Sequence, residues 1–123
     1  MQNIKSSNQE NGLLWLLKIG SGVLILVILG IHLVVNHLVA QNGLLTYEDI
    51  LAYFQNPWVI IMETVFLVTA VTHALSGLRS IVLDLNPPAR LMMWINRLFV
   101  GFGLLAVIYG FWLLLVVSGR IHM

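Results

Sequence analysis

The 123-residue sequence contains no cysteine and has few charged residues. The absence of cysteine excludes disulfides, iron–sulfur clusters, cysteine-ligated zinc and thiol catalysis, so any bound metal must be held by His, Met, Asp or Glu. Charged side chains make up 9% of the residues and hydrophobic ones 59%, whereas roughly a quarter of an ordinary soluble domain is charged. So few polar side chains cannot cover a surface in water, and the composition therefore predicts an integral membrane protein.

Long runs of basic residues are also missing. The formal net charge of +1 gives no indication of a nucleic-acid partner. No arginine-rich or serine-rich leader precedes the first apolar run, so we expect neither a signal peptide nor a transit peptide. Residues 1–12 are polar and are expected to form a short tail.

Three long apolar runs predict an all-α fold, an integral membrane three-helix bundle. The runs cover about residues 13–40, 58–83 and 98–117, and each approaches or exceeds the roughly 20 residues that cross the hydrocarbon core. Together they define one membrane anchor domain, residues 13–120, which is followed by a tail, residues 121–123.

The two connections differ in character, and the basic residues orient the bundle. Residues 41–57 contain acidic and aromatic side chains, which predict a connecting loop with an interfacial segment. Asn86-Pro87-Pro88 ends the second helix, because successive prolines remove donors and disfavour the helical conformation. The positive-inside bias places the N-terminus and the second connection in the cytoplasm and the C-terminus outside. Only Arg120 falls on the outer side in this orientation. The other five basic residues fall on the cytoplasmic side: Lys5, Lys18, Arg79, Arg90 and Arg97.

Two histidines, His32 and His73, lie deep inside predicted spans. Ionisable side chains are costly there and indicate a functional site that faces the bundle interior. From the helical rise, His32 lies roughly 9 Å outside the midplane and His73 roughly 4–5 Å on its cytoplasmic side. We therefore do not expect them to ligate the same metal ion. Two haem groups stacked across the membrane fit this arrangement, each with one axial imidazole from this chain and a second ligand from a partner chain.

Neighbouring residues on the second span fit the same interpretation. Gly77 lies one turn after His73 and leaves room for a flat porphyrin. Arg79 lies roughly 9 Å further toward the cytoplasm, where haem propionates need a cation. An alternative remains for each feature: the histidines can hydrogen-bond a neighbouring helix, the glycine can pack against one, and Arg79 can follow the positive-inside bias.

Other polar residues carry weaker signals. His37 and Glu63 lie near the outer ends of their spans and are interpreted as interfacial residues. His122 lies in the C-terminal tail and is expected to be solvated.

Two motifs resemble the cytochrome b membrane anchors of succinate:quinone oxidoreductases. His73-Ala74-Leu75-Ser76-Gly77, followed by Asp84, is similar to the small anchor subunit, in which that His is an axial ligand of haem b. His32-Leu33-Val34-Val35-Asn36 is similar to helix I of the two-haem anchors, in which its His ligates the second haem. The resemblance covers Gly30 to Asp84.

The resemblance implies a haem b and quinone binding anchor in a prokaryotic cell membrane. His73 and His32 are the implied ligands of the haem iron, Gly77 packs against the haem, Asp84 lies near the quinone, and Arg79 lies near the quinone or a haem propionate. The implied partners are a second anchor subunit, an iron–sulfur subunit and a flavoprotein subunit on the cytoplasmic face. Ubiquinone-reducing relatives commonly have Tyr after the Asp, whereas this sequence has Leu85, which leaves menaquinone as a candidate.

Two alternatives stay open at this point. The same pattern is compatible with the anchor of a quinol:fumarate reductase, because reaction direction depends on redox potentials and quinone supply. A haemless structural membrane subunit, in which the histidines only hydrogen-bond across helices, is the second alternative.

Overall fold

The computed structural model describes residues 12–39 and 46–120, and the regular secondary structure within them is α-helical. The helices are α1 (Gly12–Val39), α2 (Tyr47–Gln55), α3 (Pro57–Asp84) and α4 (Ala89–Val117). The three long helices are each apolar and long enough to cross a membrane. The predicted all-α class with three membrane helices is therefore confirmed. Gly12, predicted as the last residue of the tail, begins α1. Residues 1–11, 40–45 and 121–123, with Lys5 and His122 among them, lie outside the described residues.

α4 begins well before the apolar run that predicted the third span. The run starts at Leu98, whereas the helix starts at Ala89. Pro88 stands immediately before the helix in an extended conformation, with φ −60° and ψ 147°, and its fixed φ suits a helix start. The polar first turns hid this start, because arginine and asparagine interrupt an apolar run without interrupting a helix.

The predicted interfacial segment is a short helix, α2. Thr46 and Asp49 form a capping box at its start: the Asp49 amide donates to Thr46 Oγ1 at 3.2 Å, and the Thr46 amide donates to Asp49 Oδ2 at 2.9 Å. The hydrogen bonds from the Thr46 amide and hydroxyl hold the pKa of Asp49 below its usual value. Asn56 then ends α2 and caps α3, where its side chain accepts from the Trp58 amide at 3.0 Å.

α3 is the central helix, and α1 and α4 pack on different sides of it. On the α1 side, Lys18 Nζ donates to Ser80 Oγ at 3.1 Å. On the α4 side, Gly103 lies against Leu75, and Gly110 lies against Leu67. Glycine at these two places allows the close helix approach that is common in membrane bundles.

Large apolar side chains cover the outside of the bundle. In the described part of the chain the buried hydrophobic residues are few: Ile28, Ile60 and Met92. Leu26 is 74% exposed and Leu105 69% exposed. Such a surface is stable in contact with lipid or with other membrane subunits, because these surroundings are as apolar as the side chains.

The bundle has two distinguishable ends. The first, called here the Arg79 end, contains the start of α1, the end of α3 and the start of α4. The second, called here the α2 end, contains α2 with the start of α3 and the end of α4. Gln55 and Arg120 join these elements at the α2 end, since Gln55 Nε2 donates to the Ser118 carbonyl at 3.4 Å and Arg120 Nη1 to the Phe54 carbonyl at 3.3 Å.

Candidate functional site

The His73 side chain crosses from α3 to α1. Its Nδ1 lies 3.1 Å from the Lys18 carbonyl oxygen and 3.0 Å from Ser21 Oγ. A carbonyl oxygen can only accept a hydrogen bond, so Nδ1 is assigned as the atom that carries the proton and donates. The Ser21 hydroxyl donates its own proton to the same carbonyl at 3.0 Å, which leaves its lone pairs for Nδ1.

These contacts determine the state of the other ring nitrogen, Nε2. When a neutral imidazole is protonated at Nδ1, Nε2 keeps a lone pair. Among the described residues no hydrogen-bond donor or acceptor occupies Nε2 of His73. His73 therefore has the arrangement typical of metal-bound histidine, with one nitrogen fixed by a carbonyl and the other available.

Gly22 on α1 makes room for the His73 ring. A Cβ at this position would lie 3.1 Å from Cε1 of His73 and 3.9 Å from Nε2. The first distance is tighter than ordinary carbon contacts, so a side chain here would push against the ring. The absence of a side chain at Gly22 thus helps to set where the ring lies.

The donor set suits a haem better than a bare metal ion. In the part of the chain that the structure describes, no group of three or more His, Cys, Asp or Glu side chains converges on one point. A haem brings its own four nitrogen ligands and needs only an axial ligand from the protein on each face. A single imidazole such as that of His73 is sufficient for one of these positions.

His32 lies at the α2 end of the bundle in a different environment. Its Nδ1 is 3.1 Å from Oε1 of Glu63, and the Tyr53 hydroxyl donates to the same oxygen at 3.1 Å. The Phe66 ring stacks on the imidazole, with centroids 6.3 Å apart and an interplanar angle of 20°. The structure thus joins α1, α2 and α3 through one polar cluster, formed by His32, Tyr53 and Glu63.

The contact between His32 and Glu63 has the distance of a hydrogen bond but lacks its alignment. Among the described residues Nδ1 of His32 is a buried polar atom that has no hydrogen-bond partner, although Oε1 of Glu63 is close enough to accept from it. Tyr53 belongs to α2, outside the spans. Its burial and the adjacent Glu63 carboxylate both raise the pKa of its phenol, which therefore stays protonated and donates to Glu63.

The two histidines lie far apart along the bundle. His73 packs against Gly22, and His32 follows on the same helix, α1, at a distance of roughly 15 Å given the helical rise. The two imidazoles therefore belong to separate sites.

Gly77, Arg79 and Asp84 are not gathered around one point. A Cβ added at Gly77 would meet no described atom within 4 Å, so within residues 12–39 and 46–120 the face of α3 one turn from His73 is open. Arg79 turns toward α4, where its Nε donates to Asn96 Oδ1 at 3.0 Å. Asp84 is the exposed last residue of α3.

A lateral groove of about 560 Å³ runs between α3 and α4, with a short contribution from α1. Its lining is apolar along most of its length and includes Val71, Leu75 and Phe99. Arg79 and Asn96 also line it, and they give it a polar group at the Arg79 end. The groove can accept a long apolar chain, with a polar headgroup near the guanidinium.

Sequence comparison identifies the family of this bundle. Residues 2–105 match the family described as the succinate dehydrogenase/fumarate reductase transmembrane subunit. The chain belongs to this family. The succinate dehydrogenase hydrophobic membrane anchor subunit of Archaeoglobus fulgidus is 29% identical over 102 residues, which are 83% of this chain and 86% of the relative. No solved structure shows significant similarity to the chain.

The family match confirms the resemblance drawn from the motifs at His32 and His73. The chain is a multi-pass membrane protein of a family of enzyme membrane subunits. The roles of individual residues are a separate matter, and they stay predictions for His73, His32, Gly77, Arg79 and Asp84.

Several residues of these sites were missed by sequence reasoning. No sequence pattern singles out Ser21, Gly22 or Asn96. Glu63 and Tyr53 are predicted only as interfacial residues, without a contact to His32. The one sequence signal that could have been used is Glu63 itself, since a carboxylate inside a span needs a partner, and a histidine on the preceding helix is a natural one.

Proposed function

We propose that the chain is the haem b and quinone binding membrane anchor subunit of a succinate:quinone oxidoreductase in a prokaryotic cell membrane. In this proposal His73 is the axial ligand of one haem b and His32 that of a second, and a second anchor subunit supplies the opposing ligands. An iron–sulfur subunit and a flavoprotein subunit bind at the Arg79 end, on the cytoplasmic face. Bound haem supplies one-electron redox chemistry between these subunits and the membrane quinone.

The observation that carries the proposal is the environment of His73. Its Nδ1 is held by the Lys18 carbonyl and Ser21, its Nε2 is left with a lone pair, and Gly22 clears space beside the ring. The chain's own contribution is therefore to fix the tautomer and orientation of the imidazole before any ligand binds.

Quinone binding is proposed at the Arg79 end. Arg79 and Asn96 offer hydrogen-bond donors at the end of an apolar groove, and Asp84 lies at the end of α3, further toward the cytoplasmic face. An isoprenoid tail needs an apolar channel and a quinone carbonyl needs a donor. Leu85 follows Asp84 and offers no hydroxyl, so menaquinone stays a candidate substrate beside ubiquinone.

Two other functions are kept as candidates. The family description includes fumarate reductases, and the ratio of succinate oxidation to fumarate reduction rates distinguishes that direction. A haemless structural subunit is the second candidate, because hydrogen bonds such as those between His73 and α1 can also serve only to join two helices.

A difference spectrum of the purified complex tests the haem proposal. We expect reduced-minus-oxidised absorbance of a b-type haem with two imidazole ligands. A colourless, correctly assembled complex with normal quinone reduction would contradict the proposal and favour the haemless subunit.

A further inference from the structure

The Nδ1 atoms of the two proposed haem ligands face different chemical groups. Nδ1 of His73 meets a backbone carbonyl and a hydroxyl, both of them neutral. Nδ1 of His32 meets the carboxylate of Glu63 at 3.1 Å. A carboxylate beside the outer nitrogen of a ligating imidazole makes that imidazole a stronger electron donor than a carbonyl does.

We propose that Glu63 is a positioning residue for His32: it accepts the Nδ1 proton, directs Nε2 to the second haem and lowers the redox potential of that haem. Tyr53 supports Glu63 in turn, because its hydroxyl donates a hydrogen bond to the Glu63 carboxylate. The inference rests on the proposed function, since it presumes that His32 ligates a haem.

The burial of the cluster supports this role. The Glu63 side chain is 13% exposed and the His32 side chain 29% exposed, and a carboxylate at that depth is costly unless donors surround it. Tyr53 supplies one donor. The buried Nδ1 of His32 is the second candidate donor, and the part of the chain that the structure describes offers it no other hydrogen-bond partner.

The contact between His32 Nδ1 and Glu63 Oε1 is not aligned as a hydrogen bond, which fits an imidazole whose orientation is completed only when it binds its haem. The distance between Nδ1 and Oε1 is already that of a hydrogen bond, and only the angle is unfavourable. A rotation of the imidazole ring would turn the Nδ1–H bond toward Oε1 and complete the hydrogen bond. Phe66 stacks on the ring and Tyr53 meets it edge-on, with centroids 6.3 Å and 6.4 Å from that of His32.

Redox titration of the assembled complex that carries Glu63→Gln tests the inference. Glutamine keeps the size of the side chain and can still accept from Nδ1, so the second haem is expected to stay bound. Loss of the negative charge is expected to shift the potential of the His32 haem upward and to leave that of the His73 haem unchanged. Tyr53→Phe is expected to change the potential of the same haem only, by a smaller amount. Glu48→Gln is the matched control, because it removes an exposed carboxylate from α2 at the same end of the bundle.

An unchanged potential of the His32 haem in Glu63→Gln would overturn the inference while the proposed function stands. If Glu63→Gln does not retain the second haem, its potential cannot be measured and Tyr53→Phe becomes the test. An unchanged potential of the His32 haem in Tyr53→Phe would then overturn the inference. If His32→Ala removes no haem, the assignment of His32 itself fails and the inference fails with it. Haem content and haem potential are separate readings, so the two failures are distinguishable.

Discussion

Replacing His73 with alanine in the assembled complex is expected to remove one b-type haem completely. The variant loses the nitrogen proposed to ligate the iron. Loss of a residue that only hydrogen-bonds a metal ligand costs roughly 10–100-fold in metal affinity or activity, so loss of the ligand itself is expected to cost more. Oxidation of succinate with an artificial electron acceptor is expected to continue at the normal rate, because in the proposed complex the flavoprotein and iron–sulfur subunits, and not this chain, carry out that reaction. The measurement is haem absorbance per flavin, together with the acceptor-linked rate.

His37→Ala is the control for this experiment. His37 lies on the same helix as the second proposed ligand but is exposed at its end, and its loss is expected to leave the haem content unchanged. A full haem complement in His73→Ala would contradict the assignment of His73. It would instead agree with a histidine that only joins α3 to α1.

Enlarging Gly22 is expected to reproduce much of the His73→Ala defect while His73 is still present. A Cβ at this position would lie 3.1 Å from Cε1 of His73, and the longer side chain of Gly22→Leu must displace the ring. Haem ligation depends on ring position, so the haem at His73 is expected to be lost or to lose its bis-imidazole spectrum, measured by optical and electron paramagnetic resonance spectroscopy.

Gly20→Leu provides a closely matched control on the same helix. In the described part of the chain a Cβ at Gly20 would meet nothing within 4 Å, so we expect a normal spectrum from this variant. Equal effects of the two substitutions would show that leucine disturbs α1 in general and that Gly22 has no specific role in placing the His73 ring.

The membrane helices could be predicted from the sequence because their signal is local. An apolar run of sufficient length is enough to predict a helix in lipid, where every backbone donor and acceptor must be paired within the segment. The start of α4 at Ala89 could not be found in this way, because hydropathy reports where a helix enters lipid and not where it begins. α2 had a usable signal, since Thr46 and Asp49 have the spacing of a capping box.

The sites were predictable only as isolated residues. His32 and His73 stand out because ionisable groups are rare at that depth. What each ring contacts depends on the register between α1 and α3, which brings Ser21 to His73 and Glu63 to His32. The register between two apolar helices is set by many small packing contacts, and these cannot be predicted from a single sequence.

Arg79 illustrates the same limit. Its depth along α3 was predicted from the sequence, but the direction of its side chain depends on α4. The hydrogen bond to Asn96 turns the guanidinium toward the groove between α3 and α4, which is the groove proposed for the quinone. A role of Arg79 beside the quinone or beside a haem propionate stays a prediction.

The central claim is that His73 and His32 serve separate haems, and the ratio of haem to flavin tests it most directly. We expect the purified complex to contain two haems per flavin, and we expect the complex with His32→Ala to contain one. A single haem per flavin in both preparations would contradict the claim. His32 would then be a packing residue held by Glu63, and the α2 end of the bundle would contain no haem.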